Sequence, residues 1–192
     1  MKLRLKLVAV VAVLATAIIA TAFIATAATA HDSSGLQAKM TGYEEVPTLS
    51  TSANGVFKAS LNKAGDAISY TETYTGPFDA SAAGGAVTQS HIHFGARALS
   101  LGVSAFLCTN LGNGPAGTPT CPSPSGTVTG VITAAQVIGP AGQGISAGEF
   151  AELVRAIRAG AAYVNVHTTT FPVGEIRGQI SDNNRDDEKG ND

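Results

Sequence analysis

The chain has 192 residues with 12 Lys+Arg against 14 Asp+Glu, a formal net charge of −2. That length suits one domain of ordinary size plus extensions. So few basic residues, none clustered along the body of the chain, leave no electrostatic footprint for nucleic acid. Lys2, Arg4 and Lys6 form a positive leader, and an unbroken apolar or small-residue run fills residues 7–30. It ends in Ala28-Thr29-Ala30, before the polar His31-Asp32-Ser33-Ser34-Gly35. This is the pattern of a secretory signal peptide over residues 1–30, with residues 31–35 as a flexible lead. The run is also about long enough to span a bilayer, so an uncleaved anchor is the alternative. Its Ala and Thr content and its small-x-small end favour cleavage, after which no membrane attachment is expected. Losing residues 1–30 removes three positive charges, leaving 9 Lys+Arg against 14 Asp+Glu and a net charge of −5.

Strand signals dominate the chain beyond this leader. Phe57, Ala59 and Leu61 alternate with Val56, Lys58 and Ser60; Ile68, Tyr70, Glu72 and Tyr74 alternate with Ser69, Thr71 and Thr73. Joined by the turn Asn62-Lys63-Ala64-Gly65-Asp66, they read as a β-hairpin. A loop rich in Ala, Ser and Gly (79–85) leads to strands over 86–94, 103–107 and 127–132. Cys108 and Cys121, an even count in an exported chain, suggest one disulfide closing a loop rich in Gly, Pro, Thr and Asn. Their spacing, with no nearby His, fits no zinc site.

One helix is expected from Ser146. Ser146 as N-cap with Glu149 makes a capping box, Phe150, Leu153, Val154 and Ile157 fall on one face, and Gly160 stands where a helix stops. A single apolar stripe puts that helix on the domain surface. Residues 162–168 and 174–180 return to strand periodicity. Residues 181–192 contain no apolar side chain, which predicts a disordered acidic tail.

The segment Gln89-Ser90-His91-Ile92-His93-Phe94-Gly95 resembles the HIHxG signature of the CHRD (chordin) domain family. Glu44-Glu45-Val46-Pro47, Gly126-Thr127-Val128-Thr129-Gly130, Ala161-Ala162-Tyr163-Val164-Asn165-Val166-His167-Thr168 and Phe171-Pro172-Val173-Gly174-Glu175-Ile176-Arg177-Gly178-Gln179-Ile180 point the same way. The resemblance covers residues 36–180. It implies an extracellular module, whose family activity is mostly unassigned; the cysteine-rich repeats of chordin are missing, so growth-factor antagonism does not carry over. The chain is more weakly similar to Cu/Zn superoxide dismutase in the order of His91 and His93, His167 and Arg177. It has no His in residues 94–166, so that family's bridging His is missing. A copper site carries over as an idea; dismutation does not. The expected fold is an all-β, antiparallel β-sandwich, Greek-key and immunoglobulin-like or superoxide dismutase-like, with one surface α-helix.

Strand parity puts His91 and His93 on one face, His167 with Tyr163 and Asn165, and Glu175 with Arg177 and Gln179. If these strands are neighbours, their polar faces form one patch. Two His at i and i+2 lie about 7 Å apart at Cα, which suits two ligands of one metal with a third across the sheet. Three imidazoles favour copper, zinc or nickel over hard cations, with an open position for water or substrate. Tyr163, Asn165, Glu175 and Arg177 are the accompanying binding residues, Arg177 facing an anionic ligand. The plainer alternative is a hydrogen-bonded polar network on an outer sheet face. Glu44 and Glu45 are adjacent, so on a strand they would face opposite sides and form no acid/base pair. Cleavage would also make His31 the mature N-terminus, where an α-amine and an imidazole can chelate copper; the CHRD resemblance and the lack of Trp favour a plain polar lead.

Two functions emerge. One is a secreted or periplasmic, non-enzymatic module for an extracellular protein or ligand. The other is a copper- or zinc-binding protein using His91, His93 and His167, with redox chemistry as an extension. No nucleotide loop, nucleophile elbow or Cys-His pair supports another enzyme class.

Overall fold

The computed structural model describes residues 35–78 and 86–183. The expected leader, nearly all of the polar lead with His31, the loop at 79–85 and residues 184–192 lie outside the described residues. In chain order the elements are β1 (Leu36–Thr41), β2 (Asn54–Leu61), β3 (Ile68–Thr75), β4 (Val87–Phe94), β5 (Val103–Thr109), β6 (Gly126–Ile132), α1 (Phe150–Arg158), β7 (Ala162–Thr168), β8 (Ile176–Gln179) and β9 (Ser181–Asp182).

All strand pairs are antiparallel, in the order β5-β4-β7-β8-β1-β2-β3-β6, with β9 beside β1. The two ends of that path, β5 and β6, approach each other, so the sheet nearly closes into a barrel or flattened sandwich. This is the expected all-β class with one short helix. The hairpin pairs Leu61 with Ile68 and Asn54 with Thr75. Its turn is held by Asn62, whose side chain bonds both the main chain and the carboxylate of Asp66. The seam between the sheet ends is reinforced by the Tyr70 hydroxyl, which donates to Leu107 O on β5. Cys108 and Cys121 form the expected disulfide, tying β5 to the segment that leads into β6. Closing such a loop stabilises by about 3 kcal/mol through unfolded-chain entropy, and a disulfide fits an extracytoplasmic location.

The core follows from period-2 alternation. Leu36, Ala38 and Met40 of β1, Phe57 and Ala59 of β2, Ile68, Tyr70 and Tyr74 of β3 and Val164 and Val166 of β7 are all buried. Burying each large apolar side chain contributes roughly 1.5–3 kcal/mol. The helix packs Phe150, Leu153, Ala156 and Ile157 against this core. It starts later than the capping box predicts. Gly148 turns the chain with φ +86°, so the path from Ser146 is not helical. Half of the box survives, since the Ser146 N–H donates to the Glu149 carboxylate at 2.6 Å. At the other end Gly160 has φ +70°; its N–H bonds Ile157 O and that of Ala161 bonds Ala156 O, the double bond of a glycine-capped helix end. The sequence reading passes over β1, and it starts the tail too early. Ser181 and Asp182 pair with Gln37 and Leu36, because the free edge of β1 still has unpaired backbone groups there.

Candidate metal centre

The strands carrying the three histidines are neighbours. Between β4 and β7, His91 faces Asn165, His93 faces Tyr163 and Gln89 faces His167; between β7 and β8, Asn165 faces Arg177 and Tyr163 faces Gln179. The polar row therefore runs His91–Asn165–Arg177 across three strands. It is not the open outer patch that parity suggests. His91, His93, His167, Asn165 and Arg177 are each at most 7% exposed.

A roof of three segments explains the burial. Residues 95–102 cross the sheet and are fastened by main-chain contacts. The guanidinium of Arg177 donates to Leu99 O and Ala96 O, Gln179 donates to Gly95 O, and the Leu101 N–H donates to the Tyr163 hydroxyl. Gln143 bridges the two ends of this loop, donating to Phe94 O and accepting from the Gly102 N–H. The turn at Gly42–Glu44 adds Glu45 and is joined to the loop by the Arg97–Glu44 ion pair. Residues 171–174 close the far side, where Pro172 O meets His167.

Each of His91, His93 and His167 offers a ring nitrogen within 4.8 Å of the others'. His93 Nδ1 lies 2.7 Å from Leu101 O, and His167 Nδ1 lies 3.0 Å from Pro172 O. A carbonyl oxygen only accepts, so these contacts place the ring proton on Nδ1 and leave Nε2 as a lone pair. His91 Nδ1 is 3.1 Å from His167 Nε2. The Nε2 atoms of His91 and His93 are buried and meet no hydrogen-bond partner. His93 stacks on Tyr163 with centroids 4.7 Å apart, and His91 meets the Phe106 ring edge-on at 4.4 Å. Burial, then the neighbouring imidazoles, push the His91 pKa down to about 2. Burial pushes His93 down to about 4, against the contact with Leu101, and lowers His167 as well. All three rings are therefore neutral near pH 7, the form that binds metal.

The accompanying residues take different places. Tyr163 carries the Arg177 guanidinium 3.4 Å above its ring centroid. Arg177 is thus spent on the roof and on Tyr163 instead of facing an open anion site. Asn165 lies among the imidazoles, its Oδ1 3.0 Å from His167 Nε2. Glu175 is turned away, accepting from Thr51 and Thr168 at 2.9 and 2.7 Å. The sequence reading misses Glu45, which is 6% exposed with Oε1 unpartnered, and whose pKa burial raises to about 7. Its signal is the stretch Glu44-Glu45-Val46-Pro47, which parity treats only as two acids on opposite faces.

Fold and cluster together define an all-β domain with a roofed three-histidine cluster on one flank of its sheet. The family model of the CHRD domain matches residues 36–180, and the chain belongs to that family. No curated protein matches the chain, and no solved structure does. Four of the stretches that carry the family resemblance, those containing Glu45, His91, Asn165 and Gly174, converge on this cluster.

Proposed function

We propose that this is an exported CHRD-domain protein acting as a binding module rather than an enzyme, and that its ligand is a transition metal ion, copper or zinc, held by His91, His93 and His167. The observation that carries this reading is the convergence of three neutral imidazoles within 4.8 Å, two of them oriented by main-chain carbonyls. A metal-bound histidine commonly donates its other ring N–H to a carbonyl or carboxylate, which fixes the ring and raises its basicity. The burial of all three rings suits retention of an ion more than turnover of a substrate, since catalytic sites keep an open position. The leader at residues 1–30 and the disulfide support export to a secreted or periplasmic location. Low basic content argues against nucleic acid as a partner.

Metal analysis of untagged protein purified from an oxidising compartment tests the reading. The expected result is near-stoichiometric copper or zinc, lost in His93→Ala. Background metal in the unaltered chain, after incubation with either ion, would end it.

A further inference from the structure

The metal reading leaves one side chain unaccounted for. Asn165 stands opposite His91 in the register, and its Oδ1 is 3.0 Å from His167 Nε2. His167 thus has an oxygen at each ring nitrogen, Pro172 O at Nδ1 and Asn165 Oδ1 at Nε2, both 3.0 Å away. A neutral imidazole has one N–H to share between them, so one contact sets acceptor against acceptor. Reversing the amide would relieve the clash, but Glu45 opposes reversal. Its Oε1 lies beside Asn165 Nδ2, both next to Gly174, without closing a hydrogen bond. In its ionised form Glu45 only accepts, which calls for Nδ2 on that side and Oδ1 toward the rings. Gly174 makes room for this pairing. With φ +127°, it lies so close that a Cβ there would come within 2.5 Å of Glu45 Oε1 and 2.6 Å of Asn165 Nδ2.

A cation resolves the conflict, provided the ring nitrogens, now up to 4.8 Å apart, draw in around it. Four donors about 2.0–2.1 Å from one ion, arranged tetrahedrally, sit roughly 3.3 Å from each other. The contacts of His167 Nε2 with His91 Nδ1 and with Asn165 Oδ1, at 3.1 and 3.0 Å, are already near that separation. We propose that Asn165 Oδ1 is the fourth ligand of the three-histidine centre, and that Glu45 is the positioning residue that aims it. This inference rests on the metal reading above and extends it to the kind of ion. An amide oxygen is a hard donor, so a set of three nitrogens and one oxygen favours a divalent ion such as zinc over monovalent copper.

Cobalt(II) added to the untagged, chelator-stripped full chain is the probe, read by visible absorption, in which four-coordinate cobalt absorbs far more strongly than five- or six-coordinate cobalt. The unaltered chain is expected to give the strong bands. Asn165→Leu should weaken cobalt binding about 10- to 100-fold and lose the bands, and Glu45→Gln should weaken it about tenfold. Asn165→Asp, equal in reach and a stronger donor, should keep both. Folding of each variant is checked by circular dichroism. A folded Asn165→Leu with unchanged affinity and bands overturns the fourth-ligand assignment while leaving the three histidines standing. If that variant does not fold, Asn165→Gln decides: its extra methylene displaces the oxygen, so undiminished bands overturn the assignment. An unaltered chain that takes up no cobalt removes both readings together.

Discussion

Two buried polar clusters lie on opposite sides of the same sheet, and they meet burial differently. Inside the barrel, Glu72 of β3 is fully buried between Tyr70 and Tyr74, with Ser90 Oγ 2.7 Å from Oε1 and 2.9 Å from Asn165 O. Burial raises its pKa to about 8, so near pH 7 it is mostly a neutral acid. A protonated Glu72 can donate to Ser90, which in turn donates to Asn165 O, so one proton serves both contacts and only Glu72 Oε2 is left without a partner. On the other flank, His91, His93, His167 and Asn165 bring acceptors together with too few protons to separate them. A lone acid can discard its charge, whereas converging acceptors call for an added donor or cation, the role the proposed metal would fill. Burial of titratable groups therefore does not mark a site; a shortage of protons among them does.

The comparison is broken most readily by adding the ion. Copper or zinc at about 1,000 times its Kd should stabilise the fold by roughly 4 kcal/mol. Melting followed with and without chelator should show this in the unaltered chain and in Glu72→Gln, but not in His93→Ala. An equal rise in melting temperature in His93→Ala would mean that the ion binds elsewhere.

Proton linkage separates the clusters next. The folded value of Glu72 stands above its unfolded value of 4.5, so the fold holds a proton that the unfolded chain releases. Its contribution is intact below pH 4.5 and is lost as pH rises toward 8. Glu45 adds a weaker loss in the same direction, its folded value being about 7. The imidazoles act oppositely. Their folded values lie below 6.5, so metal-free stability falls as pH drops from 6.5 toward about 4, the value for His93. Metal-free protein should therefore melt highest between about pH 6 and 7. Glu72→Gln keeps a donor for Ser90 without a charge to bury. At about 1.4 kcal/mol for each tenfold change in proton affinity, it should gain on the order of 4 kcal/mol at pH 8 and keep the acid limb. An unchanged alkaline limb would show that Glu72 is not its source.

Gly174→Ala tests the histidine flank from outside the ligand set. A methyl there collides with Glu45 and Asn165, and φ +127° is hostile to any Cβ, so a loss of about 1–3 kcal/mol is expected. Cobalt affinity should fall with it. If stability falls while affinity holds, the glycine serves the chain turn alone.

Parity makes much of this legible. Alternation in β4 and β7 places all three histidines on one side, and it also groups Glu72 with Ile68, Tyr70 and Tyr74 on the side that proves to be the core. The roof is not legible, because it is bound through the carbonyls of Gly95, Ala96, Leu99 and Leu101, which any sequence supplies. An open face and a covered one look alike when the cover has no periodicity. β1 escapes notice because three alternating apolar residues, Leu36, Ala38 and Met40, are a short signal beside a polar lead. Glu45 is misjudged because it follows a tight turn, where strand parity does not apply.

The smallest effect expected concerns the roof itself. Arg177 holds two carbonyls of residues 95–102 with its planar fork while stacking on Tyr163. Lysine keeps the charge but has neither the fork nor the flat face. Arg177→Lys should cost about 1–2 kcal/mol, from one lost bond to a charged donor and a weaker contact with the ring. The ligands remain, so metal stoichiometry should not change. What should change is the rate of loss to excess chelator, because a looser roof opens more often. Faster release at equal stoichiometry would tie the cover to retention of the ion. Unchanged release would mean that the sheet flank alone sets the kinetics, and that the histidine cluster, like Glu72, needs nothing above it.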